Sequence, residues 1–252
     1  MNWGIRRHPL LAFGIGLYLF YLILLVPASW VKNRITLPAD IEISGVDGTL
    51  WQGSIAVLHW RNETFRQLRW SVNWRSLLIG KLAVEIHIAD QDALIGQAVL
   101  AYRNHWSLSG LQLQTSAAWL GRHIPQLAAV SLTGTLQAEI EEFTWTPAAC
   151  LKFYGRAHWQ QSGIDSLLGN MSLGRPSLSF SCENDKVRIA IDQSAEAINS
   201  QTILLLNMGG NYHMQSQLTF GPTFPESLAV LLKTSAQDKG HGIYTINASG
   251  QL

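Results

Sequence analysis

Gln67-Leu68-Arg69-Trp70-Ser71-Val72-Asn73-Trp74 alternates polar and apolar side chains without a break. A period of two puts Leu68, Trp70, Val72 and Trp74 on one face of an extended strand and the polar residues on the other. The same rhythm continues outward. Leu82, Val84, Ile86 and Ile88 alternate with Ala83, Glu85 and His87. Val130, Leu132, Leu136, Ala138 and Ile140 alternate with Ser131, Thr133, Thr135, Gln137 and Glu139, with Gly134 inside the apolar row. Leu178, Phe180 and Cys182 repeat the pattern, as do Val187, Ile189 and Ile191. Strands with one buried and one wet face belong to antiparallel sheets.

Turn signals separate the rows: Val46-Asp47-Gly48, Gln52-Gly53-Ser54, Arg103-Asn104, Glu183-Asn184-Asp185 and Lys239-Gly240-His241-Gly242. Their spacing predicts a curved, meander-like antiparallel sheet of roughly ten or more strands. No βαβ rhythm calls for a parallel sheet. Thr223, three residues before Glu226 and followed by an apolar run, predicts a capped helix over about residues 224–234. Single helical turns are expected at 74–80 and 116–121. The expected fold is mainly β with few short helices.

The compartment is read from the start of the chain. Residues 10–26 carry no charge, and at ~1.5 Å per residue they cover roughly 25 Å of a bilayer core about 30 Å thick. Arg6 and Arg7 precede the run, and Trp3 and Trp30 stand at its ends, where amphipathic rings favour the headgroup zone. The division expected is a cytoplasmic tail over 1–9, one transmembrane helix over 10–31 and a periplasmic β-domain over 32–252. A cleaved signal peptide is the competing reading, with Val26-Pro27-Ala28 supplying small residues for cleavage. The length of the run and Trp30 favour an anchor. Arg6 and Arg7 are balanced by Lys32 and Arg34, so orientation rests on the short tail being retained inside. Both readings place the domain outside the cytoplasm, and the anchored one gives a single-pass inner-membrane protein.

Composition narrows function by exclusion. A net charge of +1 offers no field for nucleic acid. Charged residues at 14% against 47% hydrophobics, with ten Trp, rule out a disordered chain. The eight His residues form no H-x-x-x-H pair, and C-x-x-C, P-loop and G-x-S-x-G motifs are absent. His87, His105 and His123 read as solvated side chains. Glu139, Glu141 and Glu142 lack the apolar pocket that paired catalytic carboxylates need and read instead as an acidic strand edge that discourages aggregation. Neither an active site nor a cofactor or metal site is expected. Cys150 and Cys182 can form one disulfide in an oxidising compartment; two unpaired buried thiols are the other reading. The tryptophans divide between core packing, supported by alternation for Trp70 and Trp74, and a binding face.

A short echo links Ser44-Gly45-Val46-Asp47-Gly48-Thr49-Leu50 with Ser131-Leu132-Thr133-Gly134-Thr135-Leu136, each leading into a strand that ends in Trp60 or Trp145. Duplication of a hairpin and a common turn both account for it.

Residues 37–54, from Leu37-Pro38 through Gly45, Gly48-Thr49-Leu50-Trp51 and Gly53, resemble the opening of the protein N family of the bacterial type II secretion system. In that family a Leu-Pro motif follows the membrane helix and precedes Gly-x-x-Gly-Thr-Leu-Trp-x-Gly. Leu68-Arg69-Trp70, residues 74–82 and the terminal 240–252 are similar as well. Arg75-Ser76 stands where the family commonly has a proline, a departure that concerns the local turn. The resemblance implies a non-catalytic inner-membrane accessory subunit that assists export of folded proteins through contacts with other secretion subunits. The family has no active-site residues to carry over, so Gly45, Gly48, Thr49, Leu50, Trp51 and Gly53 are read as a structural turn motif. Gly-Thr-Leu-Trp turns also occur in AsmA-like envelope proteins, which leaves lipid binding in an apolar groove as the alternative.

Overall fold

In the computed structural model, which describes residues 8–32, 34, 38, 40–61, 63–122, 130–166 and 169–251, the alternating rows become one antiparallel sheet of fifteen strands. The first eight follow chain order: β1 (Ile41–Gly48), β2 (Gln52–Trp60), β3 (Glu63–Val72), β4 (Leu82–Ala89), β5 (Leu94–Tyr102), β6 (Trp106–Ser116), β7 (Val130–Trp145) and β8 (Cys150–Ser166). At β8 the order branches. Its far part, from Ser162 to Ser166, pairs with β9 (Gly169–Gly174), and its near part, from Gly155 to His158, with β10 (Ser177–Glu183). The meander resumes through β11 (Lys186–Ser194), β12 (Ile198–Leu206) and β13 (Asn211–Phe220), and ends with β15 (Ile243–Gln251) lying between β13 and the two-residue β14 (Gln237–Asp238).

Register explains why one face is apolar from β3 to β15. Val72 pairs with Val84, Val84 with Leu100, Leu100 with Leu108, Leu108 with Phe143 and Phe143 with Phe153. The Phe153 ring stacks on Phe180 at 5.2 Å. From there the row passes to Ile189, Leu204, Met214 and Ala248. Cross-strand pairs of this kind stabilise a sheet. The opposite face carries a ladder of amides, in which Gln97 donates to Gln112, Gln137 to Gln114 and Gln160 to Gln137.

The sheet is open. Its pairing runs from β1 to β14, and no strand among the described residues pairs with the outer side of β1. An accessible surface of 17028 Å² compares with about 11,000 Å² expected for a compact monomer of this size. No large side chain among the described residues is fully buried. One layer of strands, covered in places by short helices, accounts for both.

The helices are α1 (His8–Leu24), α2 (Ala28–Lys32), α3 (Trp74–Leu78), α4 (Ala117–Gly121) and α5 (Glu226–Ser235). Among the described residues no helix is long and apolar enough to cross a membrane: α1 has 17 residues. It stops before Pro27, which lacks an N–H and disfavours helical conformation in the residue preceding it. Helical structure is therefore not continuous over 10–31. Arg6, Arg7, Trp3 and His123 lie outside the described residues.

Several local expectations are corrected. Gln52-Gly53-Ser54 does not turn but starts β2, and Val46-Asp47-Gly48 ends β1; Thr49-Leu50-Trp51 makes the reversal, with Gly48 paired to Gly53. Trp74 does not extend the Trp70 row. The Asn73 side chain accepts from Arg75 N and Ser76 N, which starts α3 instead of another strand residue. Thr223 does not cap α5: Pro225 holds that position with no side-chain bond. Gly134 sits within β7 beside a register shift, not in a turn, so the echo of residues 44–50 is not a second reversal. Glu139 and Glu141 lie on β7, an interior strand between β6 and β8, and guard no edge.

Candidate functional site

The Gly-Thr-Leu-Trp turn stands against the end of α1. A helix leaves its last carbonyls without intrahelical partners; Trp51 Nε1 donates to one of them, Ile23 O, at 2.9 Å, and Leu50 N donates at 3.0 Å to Val26 O, two residues past the helix end. Thr49 Oγ1 accepts from the Trp51 and Gln52 amides, both at 3.3 Å, which holds the turn tight. Trp70 Nε1 reaches over from β3 to Leu50 O at 3.2 Å, and the Trp51 ring lies 4.4 Å from that of Trp74 on α3.

Two glycines are needed for this approach. A Cβ on Gly53 would fall 2.4 Å from Asp47 O and 2.6 Å from the Trp70 ring. Gly48 has φ +95°, and a Cβ there would meet Gln52 O at 2.5 Å. Gly45 lies apart from the turn, inside β1 opposite Ala56. The structure thus brings Gly48, Thr49, Leu50, Trp51 and Gly53 together around the end of α1 and leaves Gly45 on the strand.

Trp74, Leu78 and Ile79, on α3 and the residue after it, project from the same corner, with Leu78 88% and Ile79 63% exposed. The single helical turn expected over 74–80 is found here as α3, and what the sequence reading did not anticipate is its exposed apolar tip. The signal available was Leu77-Leu78-Ile79, three apolar residues in a loop position with no second run to pack them.

Farther along the same end of the sheet, Tyr102, Trp106, Trp145, Phe143, Phe153 and Phe180 form a chain of ring contacts, each 4.4 to 6.4 Å from the next. Cys150 and Cys182 are joined beside it, with Cα atoms 5.7 Å apart. Phe153 and Val187 are buried with Cys150. At the far end of the strands, α4 crosses the apolar face so that Trp119 meets Phe65 at 6.1 Å and its Nε1 donates to Glu63.

Charged groups do not converge. No group of three or more His, Cys, Asp or Glu gathers among the described residues in a way that could hold a metal. Glu142 and Lys152 form an exposed pair across β7 and β8. The hydrogen bond from Lys152 lowers the Glu142 pKa, and the same bond raises that of Lys152. The remaining ion pairs, such as Arg188 with Glu183 at 3.0 Å, are peripheral.

Among the described residues the chain is one open antiparallel sheet, with a turn held against the end of α1 and an apolar row running from β3 to β15. The family model for type II secretion system protein N matches residues 39–247, and the chain belongs to that family. It is 29% identical to the type II secretion system protein N of Aeromonas hydrophila, over 93% of this chain and 94% of the relative. It is 28% identical to the Vibrio cholerae protein of the same name, over 90% and 91%, and 23% to that of Pectobacterium carotovorum, over 95% and 96%. No solved structure matches the chain.

Proposed function

We propose that this chain is a non-catalytic accessory subunit of the type II secretion machine, held in the inner membrane by its N-terminal apolar segment, with the sheet in the periplasm. The observation that carries the reading is the family match over residues 39–247 on an open sheet whose β1 edge, among the described residues, pairs with no further strand on its outer side. Added strands supply affinity through main-chain hydrogen bonds, and side-chain packing supplies selectivity. The anchor rests on the uncharged 10–26 run and on α1, whose Leu11, Phe13, Tyr18 and Phe20 all stand exposed. The disulfide and the Gly48–Gly53 turn are structural in this reading.

The test is secretion of a known exported hydrolase in a deletion strain, complemented with the full chain or with residues 31–252 behind a cleavable signal. Failed secretion restored only by the full chain supports a tethered subunit. Untouched secretion in the deletion strain removes the role.

A second reading has its own support. Apart from the buried Phe153, the apolar row from Val72 to Ala248 is half-buried and, among the described residues, has no second sheet across it, a surface suited to acyl chains. Lipid released by organic extraction of the exported 31–252 domain, purified without detergent, favours it; a lipid-free domain removes it.

A further inference from the structure

We propose that the corner of the sheet next to α1, formed by α3 with the turn after it and by the β5–β6 turn, lies in the surface of the bilayer that α1 enters. This rests on the anchored reading above and adds a contact that the anchor alone does not require.

Three observations point to lipid. The first is position. Trp51 caps the end of α1 with its indole N–H and packs its ring on Trp74, so α3 is one ring contact from the helix terminus. If α1 ends at the bilayer surface, α3 lies at the same level.

The second is exposure where a soluble corner would be polar. Among the described residues Leu78 and Ile79 are the most exposed large apolar residues of the sheet domain apart from the anchor segment, and they sit side by side at the tip of α3. Leu82, directly after this turn, pairs with Tyr102, and Tyr102 with Trp106, so an amphipathic aromatic pair continues the same rim. Tyr and Trp favour the headgroup level of a bilayer, where one end of the ring is apolar and the other wet.

The third is charge. Residues 73–82 and 102–106 carry Arg75, Lys81 and Arg103 and no Asp or Glu. Cations interleaved with apolar and aromatic side chains match lipid phosphates above an acyl boundary, the arrangement by which interfacial segments bind anionic membranes. Exposed apolar residues also occur at the far end of the strands, Ile95 among them at 45%, but Ile95 stands between Leu94 and Gly96 within β5, without such a tip.

The functional consequence is orientation. A helix alone lets a domain swing, whereas a second contact a ring's width away fixes the tilt of the sheet and presents β1 at a set height above the membrane.

The experiment places an environment-sensitive nitrobenzoxadiazole label on L78C, I95C or L17C in the full chain, with Cys150 and Cys182 left bonded. Each protein is reconstituted in phosphatidylethanolamine–phosphatidylglycerol vesicles, with and without doxyl-labelled lipid. Leu78 is so exposed that its replacement removes no core contact. The expected result is deep quenching at 17, shallow quenching at 78 severalfold stronger than at 95, and a blue-shifted emission at 78. Quenching at 17 with a water-exposed label at 78 overturns the rim contact and leaves the anchor standing. A blue-shifted label at 78 that lipid quenchers do not reach assigns the corner to a protein neighbour and also overturns it. No quenching at 17 removes the anchor and the proposal together.

Discussion

The two halves of the sheet are made from the same kind of strand but are held together differently. From β8 onward the sheet curls until β9, β12 and β13 share one cluster, in which Met171, Leu173, Ile198, Leu218 and Phe224 are buried under α5 with Ala229. A second cluster gathers around the Cys150–Cys182 bond. From β1 to β6, connecting turns included, the buried apolar residues are Phe65 and three alanines, Ala83, Ala93 and Ala101, and the larger side chains of the row stay half-covered. The lesson is a division of labour. The C-terminal half carries its own core, while the N-terminal half leaves most of its larger apolar side chains half-covered.

If that division holds, removing the bond that closes the C-terminal half has the largest effect. Cys150 and Cys182 are 32 residues apart, and closing a loop of that length restricts the unfolded chain by about 3–4 kcal/mol. Replacing both with Ala is expected to lower the thermal midpoint by many degrees. A midpoint unchanged in non-reducing buffer breaks the comparison at its strongest point.

Next come paired truncations. Leu218→Ala opens a cavity in the α5 cluster and is expected to cost about 3 kcal/mol. Leu100→Ala, at a half-covered position in the same kind of row on β5, is expected to cost less than about 1.5 kcal/mol. Chemical unfolding of both variants decides this. Equal losses mean that the N-terminal half has a core of comparable quality.

The sequence made the sheet legible because alternation is a local property: Leu68 to Val72 and Leu82 to Ile88 show their two faces without knowledge of any partner. What stayed hidden depended on partners. Trp74 continues the alternation on paper, yet the Asn73 cap turns the chain into α3 two residues after a valine that pairs normally. Gly53 reads as a turn residue, while its actual role is to let a carbonyl and an indole from neighbouring strands come close. Glu139 and Glu141 were indistinguishable from edge residues, since strand order cannot be read from strand pattern. The Gly-Thr-Leu-Trp motif was visible as a unit, but its contact with Ile23 and Val26 joins residues more than twenty positions apart.

That contact gives a smaller and more local prediction. Trp51→Phe keeps a ring against Trp74 and deletes the bond to Ile23 O, a loss of about 1 kcal/mol or less. Hydrogen exchange is expected to quicken in residues 23–30 with the global midpoint nearly unchanged. If exchange rises in the α5 cluster as well, the two halves are coupled more tightly than their cores suggest.

The smallest effect belongs to the Glu142–Lys152 pair, which bridges the central strands with both side chains substantially exposed. Solvent and salt screen such pairs, so little of the pKa shift becomes stability. Its sign is nevertheless determined. The Lys152 hydrogen bond lowers the folded-state pKa of Glu142 from its ordinary value of 4.5. Its stabilisation is therefore present above that value and disappears as pH falls through the lowered one. Lys152, whose pKa is raised from 10.5, contributes below that value, and its part is lost only in strong alkali as pH rises through the raised one. Glu142→Gln is thus expected to lower the midpoint slightly at neutral pH, and the gap from the parent should close on acidification below pH 4.5. A gap that widens in acid would show that the ionised carboxylate is a burden at the junction of the two halves, with the backbone ladder and ring contacts holding β7 to β8.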